Sequence, residues 1–171
     1  MPRNCQHSSG PISNETLRPA APTTYDDAEL FDPHRWPFFW ITQAVGRYLQ
    51  RLETGLKRVD LDISRWRVLM CLHQNRPTSV SEIAELAIVK LPTMTKIVQR
   101  MEADGLVRCE ARISDGRVTE VSLTPAGMAA KQTAWTIANR LYREAFADIS
   151  PDEGKTVNRL MKSIFDNLSN W

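Results

Sequence analysis

The sequence predicts a mainly α-helical protein with a two-stranded ribbon between its helices: a winged helix-turn-helix flanked by long N- and C-terminal dimerisation helices. Three observations carry that prediction. Met94, Ile97, Val98 and Met101 recur at i, i+3, i+4, i+7, the spacing of one buried helical stripe. Leu106 to Arg112 and Arg117 to Leu123 are rich in Val, Leu and Thr and flank Ile113-Ser114-Asp115-Gly116. Asp-Gly between strand-like runs marks a hairpin. Ser79-Val80-Ser81-Glu82 is a capping box opening a short helix just ahead of the striped one. That order is a device for setting one helix into the major groove of DNA.

In chain order, residues 1–30 are rich in Pro, Ser, Thr and Asn and poor in apolar side chains, and read as a disordered or loosely draped arm. Residues 31–171 read as one domain, with 61–124 forming the winged helix-turn-helix and 31–60 and 125–171 the dimerisation helices. The aromatic cluster from Phe31 to Trp40 precedes a long helix with a stripe of Ile41, Val45, Tyr48, Leu49, Leu52 and Leu56, ending near Leu56 or Arg58. Ser64 is expected to cap the next helix, which packs Trp66, Leu69, Met70 and Leu72 and ends near Asn75-Arg76-Pro77. Pro92 suits the first turn of the striped helix, and Gly105 the left-handed residue past its end. After the ribbon, Thr124-Pro125 caps a long helix with Trp135, Ala138, Leu141, Tyr142, Ala145 and Ile149 on its apolar side. Ser150-Pro151-Asp152-Glu153 is a second capping box, opening a last helix striped by Val157, Leu160, Met161, Ile164 and Leu168. A single small domain has no place to bury all three long helices, which argues for a two-fold homodimer.

The striped helix turns Thr93, Thr95, Lys96, Gln99 and Arg100 outward, with Lys90 just ahead of it. Thr and Gln address base edges, while Lys and Arg address guanine or phosphate. A winged helix used only to dock proteins presents aromatic or aliphatic residues there; that remains the alternative to a DNA reader. Arg112 and Arg117 flank the ribbon tip, and an Arg on a projecting hairpin can enter a minor groove. Asp115 is placed to brace Arg117.

Composition is less specific. The chain has 171 residues and a net charge of +2, which supports no global argument for a polyanionic partner. Locally, Lys90, Lys96, Arg100, Arg108, Arg112 and Arg117 outnumber Glu102, Asp104, Glu110 and Asp115. No apolar run approaches the ~20 residues of a membrane span, and the N-terminus has no signal-peptide core, so the expected location is cytoplasmic. Cys5, Cys71 and Cys109 show no metal or disulfide spacing and no feature that depresses a thiol pKa. Packed thiols are the plain reading of Cys71 and Cys109; redox sensing is the alternative. There is no phosphate-cradling glycine loop, and His7, His34 and His73 are scattered. No enzyme, cofactor or metal site is expected.

These pieces together resemble a known family, the MarR-type (multiple antibiotic resistance regulator) winged-helix transcription factors. The resemblance rests on SRWRVLMCLH at Ser64–His73, SVSEIAELA at Ser79–Ala87, TMTKIVQRMEADGLV at Thr93–Val107 and DGRVTEVSLTPAG at Asp115–Gly127. It covers roughly Trp36 to the C-terminus; Pro92 departs from it, standing where many relatives carry a small polar residue. The resemblance implies a dimeric repressor of a pseudo-palindromic double-stranded operator, released by a small, often aromatic and anionic effector. The free acid or its coenzyme A thioester is the expected effector. For its site the sequence offers Trp36, Phe39, Trp40 and Trp66 to stack a ring, with His34, Arg47, Arg65, Arg67 or His73 as polar or carboxylate partners. A cysteine-based redox repressor is the other form this family resemblance allows.

Overall fold

A computed structural model of the chain describes residues 32–169 other than Asn75. Residues 1–31 lie outside the described residues, and with them the expected arm, Cys5 and Phe31. Six α-helices and a three-stranded antiparallel sheet follow in order: α1 Pro37–Lys57, α2 Ile63–Cys71, β1 Thr78–Ser79, α3 Val80–Leu86, α4 Leu91–Ala103, β2 Val107–Arg112, β3 Asp115–Leu123, α5 Pro125–Ala145 and α6 Pro151–Ser169. A 3-10 turn at Pro33–Arg35 leads into α1. The mainly helical winged architecture expected from the sequence is the one observed.

The core forms where α2, α3 and α4 meet the sheet and the bases of α1 and α5. Leu52 and Leu56 of α1, Val68 and Leu69 of α2, Ile83 of α3 and Met94 and Met101 of α4 are fully buried, with Val121 of β3 and Ala134 of α5. Each large side chain so buried contributes about 1.5–3 kcal/mol of transfer free energy. The α4 stripe falls as its spacing requires: Met94, Val98 and Met101 are buried and Ile97 is half-buried.

Local caps set the boundaries. Ser79 Oγ accepts from the Glu82 amide at 3.2 Å, opening α3. Thr124 Oγ1 accepts from the Gly127 amide at 3.0 Å, opening α5. At α6 the capping box is reciprocal: the Ser150 amide donates to Glu153 Oε2 at 2.8 Å, and the Glu153 amide to Ser150 Oγ at 3.4 Å. Gly105 has φ +73°, the left-handed conformation expected past the end of α4.

Four expectations need correction, and one strand is added. The long helix after the ribbon, α5, ends at Ala145 and leaves Ile149, expected on its apolar side, beyond it. The cap of α2 is Asp62, whose carboxylate accepts from the Arg65 amide at 2.8 Å; Ser64 is exposed on the first turn. That helix stops at Cys71, short of Arg76, because Leu72 turns extended and the chain must reach β1. β1 was not anticipated: its two residues pair Thr78 with Val121 and Ser79 with Glu120, too short a strand to show a period. In the ribbon, Asp115 and Gly116 belong to β3, and Ile113-Ser114 make the turn. Arg112 pairs with Asp115 where Ala111 pairs with Thr119, so the register shifts there and the extra residues bulge at the tip.

The terminal helices are the least buried part. α6 has no buried residue, and Leu160, Met161, Phe165 and Leu168 stand exposed along it. Among the described residues no helix is long and apolar enough to cross a membrane.

Candidate nucleic-acid interface and ligand cavity

The outer face of α4 and the ribbon form one continuous surface. A groove between them is lined by Ser81, Thr95, Gln99, Glu102, Arg117 and Thr119 among others. The structure thus brings Thr95, Gln99 and Arg117 to a single groove. Lys90, Thr93, Lys96 and Arg100 are exposed around it. Among the described residues no carboxylate lies within ion-pair distance of Lys90, Lys96, Arg100 or Arg117, so these four cations face solvent unneutralised. Thr95 Oγ1 donates to the Leu91 carbonyl at 2.9 Å, which occupies its proton and leaves its lone pairs outward.

The two wing arginines differ. Arg112 Nε donates to Glu120 Oε1 at 2.6 Å across the bulge, so this guanidinium is already committed to holding the ribbon. Asp115 braces Arg117 through the backbone: its Oδ1 accepts from the Arg117 amide at 3.1 Å, leaving the side chain unconstrained. Ser81 and Thr119 were missed from the sequence. Ser81 sits inside the capping box and Thr119 reads as an ordinary strand residue, so only the folded groove marks them.

A second feature lies behind the reading head. A cavity of about 620 Å³ opens between α1, α2 and α5, with a largely apolar lining that includes Val45, Tyr48, Trp66, Met70, Trp135, Tyr142 and Phe146. Asn139 supplies the side-chain amide in that lining. Burial pushes the Tyr48 phenol above its ordinary pKa, so it stays a neutral donor. Tyr142 and Phe146 stack at 4.6 Å between ring centroids.

Of the ligand residues expected from the sequence, Trp66 alone lines this cavity. His34, Phe39 and Trp40 gather at the start of α1, with ring centroids 5.1 Å apart for His34–Phe39 and for Phe39–Trp40. Trp40 Nε1 donates to the His34 carbonyl at 2.7 Å, and Trp36 packs edge-on to Phe38. The cluster therefore shapes the helix start and does not enclose the cavity. Arg47, Arg67 and His73 are exposed outside its lining, and Arg65 is paired with Asp62 and Asp104. Val45, Tyr48, Met70, Trp135, Asn139, Tyr142 and Phe146 were missed as lining residues because which faces of α1, α2 and α5 oppose each other is a long-range property.

The thiols sit in surroundings that keep them protonated. Burial pushes the Cys71 thiol up, against a smaller opposite pull from Lys131. Burial, the Glu102 charge and a hydrogen bond to Glu102 push Cys109 up to about 11. Both are poor thiolates at neutral pH. Among the described residues no group of His, Cys, Asp and Glu could hold a metal ion.

A helix-turn-helix that presents Thr, Lys, Gln and Arg beside an arginine-bearing wing defines a winged-helix, DNA-binding transcriptional regulator. A family model described as the MarR family matches residues 61–119. The HTH-type transcriptional repressor IacR of Pseudomonas putida is 40% identical over 141 residues, 82% of this chain and 84% of that one. The homoprotocatechuate degradative operon repressor of Escherichia coli is 30% identical over 107 residues, covering 63% of this chain and 72% of its own. The chain belongs to the MarR family. Solved structures share its fold: a MarR-family regulator from Silicibacter pomeroyi superposes with TM-score 0.73 at 24% identity, over 80% of this chain and 92% of that one. PcaV of Streptomyces coelicolor, solved with its natural ligand, superposes with TM-score 0.69 at 18% identity, over 80% and 96%.

Proposed function

We propose that this regulator is a homodimeric repressor whose α4 helices read a pseudo-palindromic operator and whose α1–α2–α5 cavity takes a small aromatic acid that releases it. One observation carries the reading. A mostly apolar cavity of about 620 Å³ is walled by α2, the helix that backs the reading head. Relatives support it: one represses a homoprotocatechuate degradative operon, and PcaV was solved with a ligand.

Within this reading, Thr93, Thr95 and Gln99 meet base edges, Lys90, Lys96 and Arg100 meet phosphates or guanine, and Arg117 enters the minor groove. Arg112 and Asp115 hold the wing in shape. The chemistry of the lining favours the free acid over a coenzyme A thioester. Rings stack on Trp66, Trp135 and Tyr142, but among the described residues no Lys or Arg lines the cavity to meet a diphosphate. Asn139 and Tyr48 are the partners offered to the carboxylate. The elevated thiol pKa values count against the redox alternative, and the polar α4 face counts against a purely protein-docking role. A second copy of the chain covers the exposed face of α6 and doubles the basic surface.

Two experiments test the reading. Sedimentation at micromolar concentration should show a dimer, and a Phe165→Asp/Leu168→Asp variant should sediment as a monomer and lose DNA binding. Selection from random duplexes should return a pseudo-palindrome with half-site centres about one helical turn apart. A monomeric wild-type protein, or selected sites without two-fold symmetry, contradicts it.

A further inference from the structure

The first turn of α2 faces two ways. Trp66, and Met70 one turn on, line the cavity. The neighbouring Arg65 reaches away from it, donating to Asp62 Oδ2 at 3.1 Å and to the carboxylate of Asp104. Asp104 is the C-cap of the recognition helix α4, directly before the left-handed Gly105. A carboxylate at the negative end of a helix is unfavourable unless a cation faces it, and Arg65 is that cation. The other end of α2 is fastened as well. Lys131 of α5 donates to the carbonyl of Leu72, the residue that caps α2. The helix is therefore tied to the reading head at its first turn and to α5 at its last, with the cavity opening between α2 and α5.

We propose that Arg65 is a positioning residue for operator binding: its pairing with Asp104 fixes the end of the recognition helix to α2 and carries a displacement of α2 by a cavity ligand to the reading head. The second half rests on the cavity reading above; the first half does not. A ligand that wedges between α2 and α5 has to move Trp66 or Met70, and Arg65 sits on the same turn as Trp66. The pair is half-exposed, so it acts as a restraint of modest strength on orientation rather than as a major source of stability.

The test uses the full-length dimer and its selected operator. Arg65→Gln and Asp104→Asn should each weaken operator binding about fivefold, the scale of a partly exposed ion pair. The double variant should bind like either single one, because both substitutions cut the same restraint. Arg65→Lys, which keeps the charge but loses the two-carboxylate fork, should fall between. Wild-type affinity in both single variants, or additive losses in the double, overturns the positioning role. If Arg65→Gln fails to fold, Asp104→Asn decides alone, since it removes a carboxylate from a helix C-terminus and keeps the side-chain shape.

Transmission is read with phenylacetate and 1-naphthylacetate as probes, their binding followed by tryptophan fluorescence. A probe that weakens operator binding by the wild-type protein should do so less than twofold in Arg65→Gln and Asp104→Asn, with its own affinity for the cavity unchanged. Full wild-type release in those variants overturns transmission. If neither probe binds or releases the wild-type protein, the aromatic-acid reading fails and transmission fails with it. The operator-affinity cycle still decides the positioning role.

Discussion

The carboxylate of Glu102, near the end of the recognition helix, accepts a hydrogen bond from the backbone amide of Cys109 on the first wing strand, 2.8 Å away. One side chain thus fastens α4 to the ribbon that flanks it. Glu102→Ala should lower stability by about 1 kcal/mol, the net worth of one such bond. It should also weaken operator binding several-fold, because wing and helix no longer move as one body. Thermal melts together with operator titrations check both effects.

Burial first, and then the Glu102 charge and hydrogen bond, set the chemistry of Cys109: its thiol is pushed up to about 11 in the folded protein against an ordinary 9.0. Raising the folded value means the neutral thiol is the form the fold favours. Its stabilising effect is complete below pH 9 and is lost as pH rises through 11. At pH 8, iodoacetamide should alkylate Cys109 more slowly than a free peptide thiol. Glu102→Gln should speed the reaction by removing the nearby charge, and peroxide should leave operator affinity unchanged. Rapid alkylation at pH 8 in the wild-type protein would restore the redox alternative.

Within the reading head, labour should divide by chemistry. Arg117→Ala removes a wing charge that no carboxylate among the described residues pairs, and should weaken binding to all operators while flattening the salt dependence by about one unit of slope. Gln99→Ala should change preference among operator sequences and leave the slope alone. Arg112→Ala should act mainly through wing stability, since its guanidinium is bound to Glu120. Affinity measured across a salt series, on matched and substituted operators, separates the three.

Gly127 carries a different constraint. A Cβ there would meet the Leu106 carbonyl oxygen at 1.9 Å, which is backbone and cannot swing aside. Gly127→Ala must push α5 away from the segment joining α4 to β2, at a cost of about 1–3 kcal/mol or more. Gly116→Ala meets nothing within 4 Å and should be near neutral. Denaturant melts of the two variants check the contrast.

Local signals account for what the sequence revealed. The capping box at Ser150, the capping Thr124, the α4 stripe and the Gly105 stop depend on neighbours within a few residues, and each is found as read. At Ser79 only the hydroxyl half of the box forms, and the Glu82 carboxylate meets Arg76 instead. What escaped depends on contacts far along the chain. β1 exists only because Thr78 and Ser79 meet β3. Whether Asp62 or Ser64 caps α2 turned on which side chain reaches the free amides, and spacing alone did not decide it. The second ribbon strand was read as starting two residues late, at Arg117 where it starts at Asp115, because the bulge beside Arg112 is set by its pairing with Asp115 and Glu120. The cavity shows the same limit. Trp66 was legible as an aromatic on an apolar helix, but the Tyr48, Trp135 and Tyr142 faces opposing it follow from how α1 and α5 cross. The cluster at His34–Trp40 drew attention by composition and proves to pack on itself.

The most direct test of the account is the reciprocal measurement of operator and cavity ligand on one dimer. An aromatic acid that binds between α2 and α5 should weaken the operator by some factor, and saturating operator should weaken the acid by the same factor. Ala138 also lines the cavity, and Ala138→Phe, which sets a ring into the space between α2 and α5, should abolish acid binding and leave the operator affinity insensitive to the acid. Equal factors in the two directions, lost together in the filled variant, are the predicted result. An acid that binds with unchanged affinity whether or not the operator is present would contradict the central claim that this cavity controls the reading head.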